Sequence, residues 1–185
     1  RGRPVSRFTF ALGRTLHGDW MPGYQAGNIA IHSINALLVM ALAGTLLQRG
    51  PDWLARRASV LAWITALAWG VHPLTTGAVA YTVQRDESLM ASYYLLTLRA
   101  VARAAGSGSG SGGPRVWIWG AVAVAASALG MGSKPVMVTV PAVALLMDRA
   151  LLAGGWKRAL ARRWPIYVGI VATWAVLGHQ RILQQ

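Results

Sequence analysis

Six apolar segments, separated by short polar or basic loops, dominate this sequence. Ile29–Leu47 has nearly the ~20 residues that a helix needs to cross a bilayer. Inside a membrane every backbone N–H and C=O must be satisfied within the protein, which favours helices for such segments. The other segments are Val60–Val79, Leu89–Val101, Val116–Met131, Val136–Met147 and Ile166–Leu177. We therefore predict an all-α polytopic membrane bundle of about six transmembrane helices.

Composition supports a membrane protein and argues against a nucleic-acid binder. Of the 185 residues, 55% are hydrophobic and only 12% are charged, whereas a soluble domain is about one quarter charged. The net charge is +13, but no run of Lys and Arg exceeds two residues and no nucleic-acid-binding motif is present. We expect membrane lipids as partners and no nucleic acid. Without Cys, disulfides and thiolate metal sites are excluded.

The chain divides by composition into two parts. Residues 1–27 alternate Arg with apolar side chains, which predicts an extracytoplasmic helix lying on the membrane surface, interrupted at Pro22-Gly23. Residues 28–185 form the predicted transmembrane bundle, with a flexible Gly/Ser linker at 106–113. Because the sequence starts without Met or a signal peptide, we expect it to be part of a longer protein.

A polar stripe marks the first span. Asn28, His32 and Asn35 are spaced i, i+4 and i+7 and therefore share one helix face. Polar groups within a span face protein or a cavity rather than lipid, so the stripe serves either hydrogen bonding between helices or a functional cavity. We predict no metal site, because His32 has no second ligand at a suitable spacing.

The stretch His72–Ser88 is the place where we expect function. His72-Pro73 interrupts the second apolar segment, since proline removes a backbone donor and clashes with the preceding turn. The stretch ends in Gln84-Arg-Asp-Glu-Ser88, which holds two of the five acidic residues of the protein.

The distribution of Lys and Arg predicts an orientation. Loops 48–58, 99–115 and 148–164 contain eleven of these residues, and the alternate set contains seven, four of them in the N-terminal segment. The first set is therefore predicted to be cytoplasmic. Both ends of the chain, His72–Ser88 and Ser133-Lys134 would then lie on the extracytoplasmic side of the membrane.

Several short motifs, in this order and spacing, resemble one family. They are Arg3-Pro-Val-Ser-Arg-Phe, Gly23-Tyr24, Asn28, His32, Asn35-Ala-Leu-Leu-Val, His72-Pro-Leu, Ala78-Val-Ala-Tyr, Gln84-Arg-Asp-Glu-Ser-Leu, Ser133-Lys134, Val138-Thr-Val-Pro and Asp148. Together they are similar to the membrane portion of the transmembrane and tetratricopeptide-repeat O-mannosyltransferase-like proteins and their bacterial relatives. That family belongs to the GT-C superfamily of polytopic glycosyltransferases.

The resemblance implies transfer of a sugar from a polyprenyl-phosphate carrier to an extracytoplasmic acceptor. The lipid-linked sugar would be a substrate, and no cofactor is implied. In such enzymes a carboxylate of the first outward loop acts as base or binds metal, and we expect that loop and its preceding span upstream of Arg1. This chain departs from the family at Gly77 and Pro135, where relatives commonly carry an acidic residue, and at Gln25, which is often His.

Each candidate site residue has two interpretations. Arg85 and Lys134, with His72 and Gln84, would bind a lipid-linked phosphate, because guanidinium and ammonium groups suit phosphate oxygens. Alternatively, the two cations are interface charges paired with acidic residues or headgroups, and His72 caps the broken helix. Asp86 and Glu87 are weak candidates for a catalytic base; otherwise they pair with Arg85 or stabilise the start of the next helix.

Two functions therefore stand open. The chain is either the core of a polyprenyl-phosphate-dependent glycosyltransferase, or a non-catalytic scaffold or accessory subunit that keeps the fold and binds other membrane subunits. The acidic residues missing at Gly77 and Pro135 favour the second, and the ordered motifs favour the first.

Overall fold

The computed structural model describes residues 4–18, 20–106, 113–175 and 178, almost all of which are helical. No strand is present in these ranges. The helices are α1 (Pro4–His17), α2 (Met21–Leu47), α3 (Asp52–Ala55), α4 (Ala58–Gly70), α5 (Thr76–Ala80), α6 (Arg85–Gly106), α7 (Pro114–Met131), α8 (Val140–Met147) and α9 (Trp156–Ala172). Three 3-10 turns, Pro73–Thr75, Thr82–Gln84 and Pro135–Thr139, and a π-helical turn, Asp148–Ala153, connect them.

Three stretches are long and apolar enough to cross a membrane. They are Met21–Leu47, Pro114–Met131 and Pro135–Leu152. A fourth crossing is possible if α4 and the segment Pro73–Ala80, which meet at a bend of 56°, form one broken span. The all-helical class is thus confirmed for the described residues, and length and composition identify three to four of the spans.

The first span begins earlier than the sequence suggests. Pro22 and Gly23 lie in the first turn of α2 instead of interrupting the chain. Proline is compatible with a first turn because the N–H that it lacks has no partner there anyway. The chain turns instead at Gly18, whose φ of 60° favours glycine, and the Tyr24 hydroxyl donates to its carbonyl oxygen at 3.0 Å.

Helix α6 is the centre of the bundle. It packs against α2 on one side and α7 on the other, and Val101 and Ala104 lie in the buried core. It is also 22 residues long, well beyond the predicted Leu89–Val101. Since protein covers much of its surface, α6 can carry Arg and Ser residues that a lipid-facing helix would not tolerate.

Two other predicted features lie partly outside the described residues. The Gly/Ser linker includes residues 107–112, and the sixth apolar segment ends at Leu177; neither is described. The described part of that segment belongs to α9, which starts ten residues earlier and includes much of the basic loop.

The two ends of the bundle are both polar. Along α2, Gln48 follows Asn28 by twenty residues. Along α6, Arg103 follows Arg85 by eighteen residues. At a rise of about 1.5 Å per residue, these pairs are ~27–30 Å apart. That separation matches the ~30 Å hydrocarbon thickness of a bilayer.

Candidate functional site

The Arg85 guanidinium holds three helices together at one end of the bundle. Its Nε donates to Asn28 Oδ1 at 2.9 Å, and its Nη2 donates to the Tyr24 carbonyl oxygen at 2.8 Å. The Phe10 ring of α1 covers it, with the guanidinium carbon 4.7 Å from the ring centroid. These contacts join the first turn of α6 to α2 and α1.

Burial sets the chemistry available to this arginine. Arg85 is only 4% exposed, and arginine stays protonated in proteins. Gly27 allows the close approach, because a Cβ at that position would lie 3.2 Å from Nη2. The arginine that the sequence assigned to phosphate binding therefore bonds within the protein, beneath α1.

The polar stripe of α2 makes hydrogen bonds between helices. Asn28 donates to the carbonyl oxygens of Val79 at 3.5 Å and Tyr81 at 3.3 Å. His32 Nε2 lies 2.9 Å from the Gly70 carbonyl oxygen, at the break after α4. Asn35 donates to the Ser88 carbonyl oxygen at 2.9 Å. Of the two interpretations of the stripe, the hydrogen-bonding one describes these contacts.

The interruption at His72-Pro73 is a sharp bend with its own cap. His72 Nδ1 accepts a hydrogen bond from the Leu74 backbone N–H at 3.2 Å, as an N-cap of the 3-10 turn. The imidazole is exposed. Gln84, also exposed, packs against Gly77, where a Cβ would meet its side-chain oxygen at 3.0 Å. A larger residue at position 77 would displace this amide.

Lys134 and Glu87 meet across the bundle. Lys134 Nζ lies 2.6 Å from Glu87 Oε1, joining the turn after α7 to the first turn of α6. The Glu87 side chain is 58% exposed and that of Lys134 is 24% exposed, whereas Asp86 is buried. The two cations predicted for phosphate binding thus flank the same helical turn, and of the two only Lys134 is partly exposed.

An apolar groove begins one turn below this ion pair. Its volume is about 340 Å³. Met90, Ala91 and Tyr94 follow Glu87 at i+3, i+4 and i+7 and so continue its face of α6. The remaining lining residues are Val39, Trp69, Leu95, Val136 and Thr139. A charged pair thus lies one helical turn from an apolar groove, an arrangement that fits an amphiphile with an anionic head.

A second polar cluster, at the opposite end of the bundle, was not predicted from the sequence. Asp148 is fully buried and accepts two hydrogen bonds from Arg163, from Nε at 2.8 Å and Nη2 at 2.5 Å. The Tyr167 hydroxyl donates to the same carboxylate. In the sequence, the only local indication was that Asp148 directly follows an apolar run. Its ionic partner Arg163 lies fifteen residues further on. This cluster joins α9 to the π-helical turn.

Within the described ranges, no three His, Asp or Glu side chains are grouped so that they could hold a metal ion. The site chemistry visible in these residues is therefore that of one exposed ion pair, an exposed imidazole and amide, and an apolar groove.

The chain is similar to curated O-mannosyl-transferases over about half its length. It is 35% identical over 96 residues to a protein O-mannosyl-transferase of Caenorhabditis elegans, covering 52% of this chain and 13% of that protein. It is 36% and 34% identical over 110 residues to the human and mouse protein O-mannosyl-transferase TMTC4, covering 55% of this chain and 14% of each.

No family model and no solved structure matches the chain. The matched region is a small fraction of each relative, and the similarity is therefore partial. Taken with the long apolar helices, it indicates a membrane protein with a region similar to that of the O-mannosyl-transferases.

Proposed function

We propose that this chain forms the carrier-binding part of a GT-C-type membrane glycosyltransferase. Its substrate is a polyprenyl-phosphate-linked sugar, and mannose is the sugar that the names of the relatives suggest. The sugar passes to an acceptor hydroxyl on the outward side of the membrane. The observation that carries the proposal is the apolar groove one helical turn from the Lys134–Glu87 pair.

The groove and the ion pair match the two parts of such a carrier. An isoprenoid chain is apolar and flexible, and the lining of Met, Tyr, Trp and Val side chains suits it. A phosphate at the mouth would meet the Lys134 ammonium, which supplies a point charge with three donors. Exposed His72 and Gln84 are further polar groups of the same outward stretch.

Arg85 supports this site from beneath. Its hydrogen bonds to Asn28 and Tyr24 fix the first turn of α6, which also carries Glu87. In this proposal Arg85 is a positioning residue, and Lys134 makes the contact with phosphate. Glu87, rather than the buried Asp86, is the carboxylate that an acceptor hydroxyl could reach.

The polar ends of the bundle also suggest further membrane crossings. Helix α6 runs the same ~30 Å from one polar end to the other as α2 does. We assign α6 and α9 as additional spans, which with the broken segment gives six. The Lys- and Arg-rich loops then lie on the cytoplasmic side of a bacterial inner membrane.

A second candidate is an accessory subunit without catalysis. The observation that favours it is the pairing of Glu87 with Lys134, which neutralises the exposed carboxylate of the site. Such a subunit would retain the fold and bind other membrane proteins. It would bind no lipid-linked sugar in the groove.

The experiment blocks the groove and measures carrier binding. Ala91→Phe places a ring in the groove, and Ala121→Phe adds the same ring at an exposed position on α7. Each purified variant is photo-crosslinked to a polyprenyl-phosphate-mannose analogue. We expect labelling to fall at least about tenfold in the first variant and to stay near that of the unmodified protein in the second, since a 1.4 kcal/mol loss is tenfold.

Two outcomes would reject the proposal. One is equal labelling of both variants while their thermal unfolding is unchanged. The other would be seen with the unmodified protein, if a water-soluble mannose phosphate prevented photo-crosslinking of the analogue as effectively as the full carrier does. That result would mean that the groove contributes nothing to binding, and the accessory-subunit candidate would then be preferred.

A further inference from the structure

A second pocket lies at the other end of the bundle, where α2 ends and α7 begins. Its volume is about 480 Å³, and three of its lining residues are arginines on three different elements: Arg49, Arg103 and Arg115. The remaining lining residues are Thr45, Gln48, Gly106 and Trp119. No Asp or Glu is among the described residues that line it.

Two of these arginines are held in place by the fold. Arg49 Nη2 donates to the Ala102 carbonyl oxygen at 2.8 Å, and a Cβ at Gly106 would require this side chain to shift. The Arg103 guanidinium carbon lies 5.5 Å from the centroid of the Trp119 ring. Arginines fixed in this way are preorganised for an anion, because less side-chain freedom is lost on binding.

Like charges converge on this pocket. Partial burial lowers the pKa of the Arg49 guanidinium, and the positive charges of Arg163 and Arg103 lower it further, with Asp148 acting in the opposite direction. Arg163 and Asp148 are paired with each other, so their opposite effects on Arg49 offset each other in part. A bound anion would offset the positive charge of the lining arginines.

The pocket continues into a second groove. A neighbouring cavity of about 250 Å³ shares Thr45, Gln48 and Arg103 with it. That cavity is further lined by Met40, Ala41, Gly44, Ser59, Ala62, Trp63 and Arg99. The apolar lining residues of this groove form a strip along α2 and α4, whereas its two arginines, Arg99 and Arg103, belong to α6. Free phosphate would use only the first part, whereas a phospholipid would use both.

We propose that this pocket binds the phosphate of an anionic membrane lipid, whose acyl chain follows the adjoining strip. Basic pockets between membrane helices have the charge and the location to bind such headgroups. The site lies ~30 Å from Lys134 along the bundle, and it is therefore separate from the proposed carrier site. It joins the ends of α2, α6 and α7 through one lipid.

The test uses native mass spectrometry of the purified chain in detergent, titrated with dioleoyl phosphatidylglycerol. The variant R49Q/R103Q removes two pocket arginines, and R56Q/R57Q removes two exposed arginines of the same loop region that do not line the pocket. We expect the first variant to bind at least about tenfold more weakly, since it removes two of the charged contacts to the phosphate. The second should bind within about twofold of the unmodified protein, since exposed charges contribute little.

Arg115→Gln provides a second variant, because this exposed side chain lies in the first turn of α7 and has little role in packing. It should weaken lipid binding without changing thermal unfolding. Equal weakening by R49Q/R103Q and R56Q/R57Q would overturn the proposal, as it would show attraction by overall charge. So would equal binding of dioleoyl phosphatidylcholine.

Two further measurements distinguish a lipid phosphate from inorganic phosphate, and the lipid site from the carrier site. If inorganic phosphate binds as tightly as the lipid, the assignment to a lipid is wrong. Lys134→Met should leave phosphatidylglycerol binding unchanged, and R49Q/R103Q should leave carrier labelling unchanged. Each of the two proposals can therefore fail independently of the other. Loss of phosphatidylglycerol binding in Lys134→Met would show that the two sites are not distinct and would overturn the inference.

Discussion

Arg85 and Asn28 share a buried hydrogen bond of 2.9 Å, from the guanidinium Nε to the amide oxygen. Asn28 is fully buried, and its amide nitrogen donates in turn to the Val79 and Tyr81 carbonyl oxygens. One amide thus connects α2 to the start of α6 and to the segment after the bend. Neither side chain has water to replace its partner, so the two should be energetically coupled.

A double-mutant cycle measures this coupling. Arg85→Met and Asn28→Ala should each lower the free energy of unfolding by about 2–3 kcal/mol, because each leaves a buried polar group unsatisfied. The double variant should lose about 1–2 kcal/mol less than the sum, since contacting residues are not additive. Reversible unfolding in mixed micelles provides the measurement. Strict additivity would show that the hydrogen bond contributes no stability.

Gly27 and Gly44 form a matched pair on α2. Replacing a helical glycine by alanine normally stabilises a helix by about 0.5–1 kcal/mol. At position 44 the new Cβ would lie 3.6 Å from that of Ala62, an ordinary contact, whereas at position 27 it would lie 3.2 Å from Arg85 Nη2. We therefore expect Gly44→Ala to raise the unfolding temperature more than Gly27→Ala. Equal shifts would mean that Arg85 moves freely.

The buried Asp148–Arg163 pair should be a strong stability determinant. Asp148→Asn should destabilise the protein by about 3–5 kcal/mol, because it leaves the Arg163 charge buried without its carboxylate. Asp52→Asn is the control, since Asp52 is exposed in the first turn of α3. The free energy of unfolding of Asp52→Asn should be close to that of the unmodified protein. Similar unfolding of the two variants would contradict the assignment of Asp148 to the core.

The Lys134–Glu87 pair should contribute little to stability. Both side chains are partly exposed, and pairs of this kind contribute ~0–1 kcal/mol. Glu87→Gln should therefore leave thermal unfolding nearly unchanged. It should also free the Lys134 ammonium for an anion, so that binding of polyprenyl phosphate becomes slightly tighter. A large drop in the unfolding temperature would show a structural role for the pair.

Helical periodicity was the part of the fold that sequence could predict. The spacing of Asn28, His32 and Asn35 predicts one shared face, since residues at i, i+4 and i+7 lie on the same side of any helix. Their partners were not predictable, because the Gly70 and Ser88 carbonyl oxygens approach only when α4 and α6 pack. The break at His72-Pro73 followed directly from the chemistry of proline.

The environment of Arg85 was beyond sequence reasoning. Its neighbours Gln84 and Glu87 are exposed, and only packing of α1 determines that Phe10 covers the guanidinium. Part of the groove could have been predicted from the spacing of its lining residues in the sequence. Met90, Ala91 and Tyr94 continue the face of Glu87, but their significance depends on the opposite wall formed by Val39 and Trp69.

The central claim is that Lys134 holds the phosphate of a lipid-linked sugar at the mouth of the groove. The protein has two lysines, and Lys157→Met is the matched control for Lys134→Met. Equilibrium binding of polyprenyl-phosphate-mannose to each variant in nanodiscs tests the claim most directly. We predict about tenfold weaker binding for Lys134→Met, as expected for one charged contact, and unchanged binding for Lys157→Met. Equal affinities for the two variants would contradict the account.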